Sequence, residues 1–96
     1  MKVLEERGKV HGDFGTHAAI AQSLKVVMHS APAWGSLDVD IKEALDMIQH
    51  KIARVLNGNS EYIDNYRDIA GYATLIQKRL QDTPGAIDSY TEYKDV

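Results

Sequence analysis

The sequence predicts an all-α fold, a compact helical bundle of three main helices and one short N-terminal helix. Two observations lead to this expectation. Apolar residues recur at intervals of three and four along three long stretches, which is the repeat of an amphipathic helix. No useful length of the chain alternates between apolar and polar residues, as a half-buried β-strand does. Because 96 residues make one domain with a small core, we expect oligomerisation to complete the bundle.

The longest helical stretch covers residues 37–57. Ser36 or Asp38 is its expected N-cap, and Gly58 after Asn57 is its stop signal. At about 100° per residue its apolar residues share one face, and four polar residues form a stripe roughly 80° wide that points away from that face. The apolar set is Ile41, Ala44, Leu45, Ile48, Ile52, Val55 and Leu56, and the polar stripe is Glu43, Asp46, His50 and Arg54.

Three further stretches complete the predicted helices. Residues 17–30 form the most apolar one, which we expect to be the most buried, with Thr16 as the expected N-cap and Pro32 after its end. Residues 61–81 form another, and Gly71 within it is expected to permit the close approach of a helix or ligand. Residues 2–10 form the short N-terminal helix. We therefore expect one helical domain over residues 1–83 and a polar tail over residues 84–96.

Charge and composition exclude several classes of protein. A net charge of −3 argues against a binder of duplex nucleic acid, which needs a basic face. No apolar run approaches the roughly 20 residues of a membrane span, and the N-terminus lacks the apolar core of a signal peptide. The absence of cysteine excludes disulfides and thiolate chemistry. We expect a cytoplasmic protein without a membrane partner.

Acidic residues are the first candidates for a site. Glu43 and Asp46 are three residues apart on one helix, and Asp64 and Asp68 are four apart on the next. If the two faces meet, the carboxylates converge and bind Mg²⁺ or Mn²⁺, which in turn holds phosphate oxygens. The alternative is that these acids lie on ordinary solvated helix faces, since charged residues are mostly exposed.

Basic and loop residues are the second group of candidates. Cations near the acids would pair with phosphates, or else with neighbours on their own helices, as Arg67 would with Asp64. The segment GKVHGDF would contact a base or phosphate, or else form a turn in which Phe14 packs into the core and Asp13 accepts bonds from nearby N–H groups. The candidates for nucleotide binding are Lys9, His11, Asp13, His50, Lys51, Arg54, Arg67 and Tyr72.

Three blocks carry a resemblance to a known group of proteins: ERGKVHGDF, EALDMIQHKIARVLNGN and DNYRDIAGYA. Together, over about residues 6–76, they resemble a family of small uncharacterised phage and prophage proteins. That family is similar to the MazG-like all-α nucleotide pyrophosphohydrolases. The resemblance implies dimers or tetramers that bind Mg²⁺ through an E-E-x-x-E helix and an E-x-x-D helix. It also implies cleavage of nucleoside triphosphates to monophosphate and pyrophosphate.

The motif match is incomplete in this sequence. In the first motif Glu43 and Asp46 keep their carboxylates, but Lys42 replaces the first acid. In the second motif Asp68 is kept and Asn65 replaces the glutamate, with Asp64 beside it. By this resemblance Glu43, Asp46 and Asp68 are the catalytic residues, and Asp64 joins them as a metal ligand.

Two functions follow from these observations. The first is a MazG-like nucleotide-binding protein that acts as a Mg²⁺-dependent (or Mn²⁺-dependent) nucleoside triphosphate pyrophosphohydrolase. The alternative is a non-catalytic phage protein that counters host defence by sequestering a nucleotide signal or by binding a host protein. The loss of two motif acids favours the alternative. In either case we expect a homodimer or higher homo-oligomer in the host cell cytoplasm.

Overall fold

The computed structural model describes residues 10–88 and shows three α-helices. Helix α1 spans Phe14–His29, α2 spans Val39–Asn57 and α3 spans Ile63–Gln81, with one 3₁₀ turn, Trp34–Ser36, between α1 and α2. No strand occurs between residues 10 and 88, and the prediction of an all-α bundle is confirmed. The predicted helix at residues 2–10 lies, apart from its last residue, outside the described part of the chain, as do residues 89–96 of the predicted tail.

The helix ends follow local signals, but Asp13 takes the place of the predicted N-cap Thr16, and α2 and α3 each begin two residues later than predicted. Helix α1 begins three residues earlier than expected, because the Asp13 carboxylate accepts a hydrogen bond from the Thr16 N–H at 2.9 Å and is the N-cap. Asp38 is the N-cap residue of α2, as expected, but its side chain makes no capping bond. That carboxylate pairs instead with Arg79 at the far end of α3, at 2.9 Å.

Helix α2 is the centre of the bundle, and α1 and α3 both pack against it. The positions of the buried residues Ala44 and Ala53 indicate that α1 and α3 lie on opposite sides of α2. The two alanines are nine positions apart, which at about 100° per residue places them roughly 180° apart around the helix. Both are buried. Helix α2 is therefore covered on its two flanks, and its apolar and polar faces lie between those flanks.

The neighbouring helices cover the flanks of α2 and not its apolar face, so the apolar faces that were predicted to form the core are only partly buried. On α2, Leu45, Ile52 and Leu56 are 37%, 40% and 63% exposed. Helix α1 was expected to be the most buried helix, and this is wrong, since Val26 and Val27 are exposed. The interior within residues 10–88 is instead built from small and polar side chains. The buried residues are Ala21, Ala44 and Ala53 together with His17, Gln49, Lys51 and Asn65.

The segment before α1 is fixed against the C-terminal end of α2. The Asn57 amide donates hydrogen bonds to the carbonyl oxygens of His11 at 3.0 Å and Asp13 at 2.8 Å. Two glycines permit this close approach. A Cβ on Gly12, which has φ +76°, would lie 2.0 Å from the Asn57 carbonyl oxygen, and one on Gly58 would lie 2.2 Å from that of Val10. Gly71, which was expected to serve such a purpose, has no neighbouring atom within 4 Å of its Cβ position.

None of the helices within residues 10–88 combines the length and the apolar character that crossing a membrane requires.

Candidate functional site

A group of aromatic and basic side chains lies where the start of α1 meets the polar stripe of α2. The rings of His17 and His50 are 4.7 Å apart between centroids and nearly perpendicular, at 75°. Phe14 also stacks on His17, with centroids 6.2 Å apart and planes at 25°. His17 is buried, whereas Phe14 is 70% exposed. We call Phe14, His17, His50 and Arg54 the histidine cluster.

Burial and positive charge keep both histidines of this cluster neutral at pH 7. Burial is the largest cause, and together with the effects of Arg54, His17, Lys51 and Lys25 it lowers the pKa of His50 to about 4. The pKa of His17 is lowered by burial and then by Arg54. Each neutral imidazole has one N–H donor and one acceptor nitrogen. The buried Nδ1 of His17 has no hydrogen-bond partner within residues 10–88.

The positive charge at the cluster is not balanced locally. Within the described part of the chain, neither Arg54 nor Lys25 makes an ion pair, whereas Lys51 and Arg79 both do. Arg54 is also close enough to Asp68 to lower the pKa of that carboxyl, without bonding to it. A small anion at the cluster would therefore meet an unpaired guanidinium whose charge acts on both imidazoles.

The fold brings some of the predicted nucleotide-binding residues to this end of the molecule. His50 and Arg54 belong to the cluster, and Asn57, less than one turn after Arg54, holds the backbone of His11 and Asp13. The His11 ring packs edge-on against Tyr62, with centroids 5.4 Å apart. Four predicted residues thus share the region where α1 begins and α2 ends.

The other predicted nucleotide-binding residues lie elsewhere. Arg67 pairs with Asp64 on its own helix at 3.0 Å, as the intrahelical alternative expects. Arg67 and Tyr72 line a shallow cavity of about 370 Å³ on α3, beside Gly71 and Leu75. Lys51 is buried against α3. Lys9 lies outside the described residues.

The four predicted metal ligands are dispersed within the chain. Asp46 Oδ1 is 2.7 Å from His29 Nε2, and the His29 ring in turn stacks on Trp34 with centroids 4.4 Å apart. Asp64 pairs with Arg67, and Asp68 Oδ2 is 2.8 Å from Lys51 Nζ. Glu43 is exposed on α2. Across residues 10–88 no three histidine, aspartate or glutamate side chains are placed to hold a metal ion.

These contacts show that the chain by itself does not fit a Mg²⁺ ion at the predicted ligands. The cation beside Asp68 is the ammonium of Lys51, which lowers the pKa of that carboxyl and balances its charge. Lys51 would repel a second cation beside Asp68. Metal binding at these four acids therefore stays a prediction, and the arrangement of side chains in a single chain does not support it.

Two members of the cluster were not among the residues predicted for a site. Phe14 was expected to pack into the core in one of the two alternatives for its segment, but it is exposed, and His17 was assigned no role. Their spacing of three residues on a helix places the two rings side by side, and this was the available signal. The contact of His17 with His50 depends on how α1 packs against α2, which no local pattern specifies.

Comparison with known proteins agrees with the boundaries of this fold. The model of a domain of unknown function, DUF6378, matches residues 1–81. The chain belongs to the DUF6378 family. The matched region ends at Gln81, the last residue of α3, so the DUF6378 domain contains all three described helices. Membership of an uncharacterised family is confirmed by this match. No curated protein and no solved structure matches the chain.

Proposed function

We propose that this DUF6378 protein binds a nucleotide at the histidine cluster and does not hydrolyse it. The observation that carries the proposal is the unpaired guanidinium of Arg54 beside the neutral imidazoles of His17 and His50. A guanidinium binds phosphate oxygens through two parallel hydrogen bonds, and a neutral imidazole N–H adds a further donor. An acidic chain with a net charge of −3 thus concentrates free positive charge at one place.

The exposed ring of Phe14 supplies the second part of the proposed site. Stacking on an aromatic ring is worth about 1–3 kcal/mol per base and is tolerant of base identity. Because Phe14 stacks on His17, its exposed surface adjoins the proposed phosphate contacts. The site therefore suits a ligand that joins a planar base to a phosphate.

The pairing of the carboxylates favours binding without turnover. Hydrolysis by a MazG-like enzyme requires acids that hold a divalent cation, and three of the four acids in question bond to His29, Arg67 or Lys51. Binding without turnover is the behaviour of a protein that withdraws a nucleotide signal from solution. It agrees with the loss of two motif acids in the sequence.

Calorimetry with a panel of ribo- and deoxyribonucleoside triphosphates tests the proposal. We expect Arg54→Gln to weaken binding about tenfold or more, since tenfold corresponds to about 1.4 kcal/mol, within the range for one charged hydrogen bond. Arg67→Gln is the matched control and should bind as the wild type does, because Arg67 is already paired. Phe14→Ala should weaken nucleotide binding and leave the binding of inorganic triphosphate unchanged.

The same mixtures, separated by chromatography after incubation with Mg²⁺ or Mn²⁺, test for catalysis. Intact nucleotides support the proposal. Monophosphate and pyrophosphate would refute its non-catalytic part and establish the hydrolase. Failure of every nucleotide to bind would refute the proposal as a whole and would direct attention to protein partners.

A further inference from the structure

The face of α2 opposite the polar stripe carries no charged residue, and most of its apolar residues are partly or largely exposed. Six residues within about 100° of arc form it, and we call them the α2 stripe. Leu45, Ile52 and Leu56 are its most exposed members. The complete set is Ile41, Leu45, Ile48, Gln49, Ile52 and Leu56. Exposed apolar surface of this extent marks an interaction site.

A groove runs beside the α2 stripe. Its volume is about 400 Å³, and Met28, Trp34 and Leu37 form the wall opposite Leu45 and Ile52. Side chains of a second helix that packed on the stripe would fill this groove, as ridges of one helix fill the grooves of another. Helix α2 has 19 residues, about 28 Å of length at 1.5 Å per residue, which is sufficient for such a contact.

Gln49 is the polar member of the stripe and indicates what covers it. The residue is only 3% exposed, and neither its amide nitrogen nor its amide oxygen has a hydrogen-bond partner within residues 10–88. An unsatisfied buried amide is destabilising by about 1–3 kcal/mol for each group. An amide is self-complementary, because it offers one acceptor oxygen and two N–H donors. A second glutamine amide satisfies both of its unpartnered atoms.

We propose that a second copy of this chain packs its α2 stripe against the first around a two-fold axis that passes close to Gln49. Each Gln49 amide then donates to, and accepts from, the partner's Gln49. Gln49 lines the groove beside the α2 stripe, so the two amides meet where the groove of one chain faces that of the other. A two-fold axis brings equivalent surfaces together, so the absence of charge along the stripe avoids repulsion between like charges.

Sedimentation over a range of protein concentrations tests the interface. We expect a dimer for the wild type, and a dissociation constant raised on the order of 100-fold by Leu45→Glu or Leu56→Glu, because each places a charge in an apolar contact. Leu56 is 63% exposed, so its replacement should leave the helical circular dichroism of the chain intact. Leu75→Glu is the control, since Leu75 is 65% exposed on α3 and lies outside the stripe.

Cysteine cross-linking tests the position of the axis. The natural chain contains no cysteine, so Gln49→Cys introduces a single thiol. Two such thiols form a disulfide when their Cα atoms lie about 4–7 Å apart. We expect Gln49→Cys to give a covalent dimer on mild oxidation and Gln22→Cys, at an exposed position of α1, to give none. A monomeric wild type, a dimer unaffected by Leu56→Glu, or equal cross-linking at both cysteines would overturn the proposal.

Discussion

The ammonium of Lys51 lies 2.8 Å from the carboxylate of Asp68 and joins α2 to α3. The two partners differ in their surroundings, since 11% of the Lys51 side chain is exposed compared with 47% of that of Asp68. The Lys51 ammonium is therefore buried and depends on Asp68 to compensate its charge, whereas the Asp68 carboxylate is well hydrated. Removal of the two partners should have unequal effects.

Asp68→Asn should lower the melting temperature more than Lys51→Met does. The first change leaves a buried ammonium without its counter-charge, whereas the second removes the buried charge and keeps a chain of similar shape. Thermal unfolding followed by circular dichroism measures both. Asp64→Asn is the control, because it breaks an exposed pair within one helix and should have little effect. A larger loss for Lys51→Met would contradict this assignment of the buried charge.

Two glycine-to-alanine substitutions should change stability in opposite directions. At Gly58 a Cβ would lie 2.2 Å from the Val10 carbonyl oxygen, so Gly58→Ala should destabilise the fold by about 2 kcal/mol or more through displaced backbone. At Gly71, inside α3, a Cβ meets nothing within 4 Å, so Gly71→Ala should stabilise the helix by roughly 0.5–1 kcal/mol. Urea denaturation gives both free energies. Destabilisation by Gly71→Ala would show that something approaches this position.

Stability should fall as the pH is lowered from about 6.5 towards 4. The folded state depresses the pKa of His50 from its ordinary value of 6.5 to about 4. Between these values the unfolded chain binds a proton that the folded chain does not, so acid favours unfolding. The stability from this group is fully present above pH 6.5 and is lost towards pH 4. We expect a loss of roughly 1–2 kcal/mol, after allowing for the partial exposure of the ring.

The control for this pH effect is His50→Gln, which keeps a polar side chain but does not titrate. The variant should retain only the part of the slope due to His17, whose pKa is also lowered. Denaturation midpoints at several pH values between 4 and 7 provide the comparison. An unchanged slope in the variant would show that His50 is not the titrating group.

Nucleotide binding should survive the removal of divalent cations. The proposed contacts are a guanidinium, two imidazoles and a phenyl ring, none of which needs a metal to hold a phosphate or a base. Calorimetry in the presence of EDTA should give an affinity close to that measured without it. Glu43→Gln should likewise leave the affinity unchanged. Loss of binding in EDTA that Mg²⁺ restores would instead favour the metal site predicted from the sequence motifs.

The sequence specified what depends on near neighbours along the chain. The stop at Asn57-Gly58 was predicted, and the three-residue pairing of Asp64 with Arg67 was one of the two alternatives given for Arg67, because each depends on residues within one turn. The pairs His29–Asp46 and Lys51–Asp68 were not predicted, because their partners are 17 residues apart and lie on different helices.

The side of α2 that becomes buried was the main feature that could not be inferred. The apolar periodicity predicted that the face with Leu45, Ile52 and Leu56 is buried, but α1 and α3 pack on the flanks, where Ala44 and Ala53 allow close approach. Burial of Gln49, Lys51 and Asn65 follows from this arrangement. Because such side chains are mostly exposed in proteins, a reading of residue types alone assigns them to the surface.

The opposition of the two faces of α2 determines the valency of any assembly. When two chains associate through their α2 stripes, both polar stripes point outwards, on opposite surfaces of the pair. Each chain then takes up its own small ligand, with a stoichiometry of one per chain. Because the two sites face away from each other, one pair of chains would link two particles that each carry a suitable group.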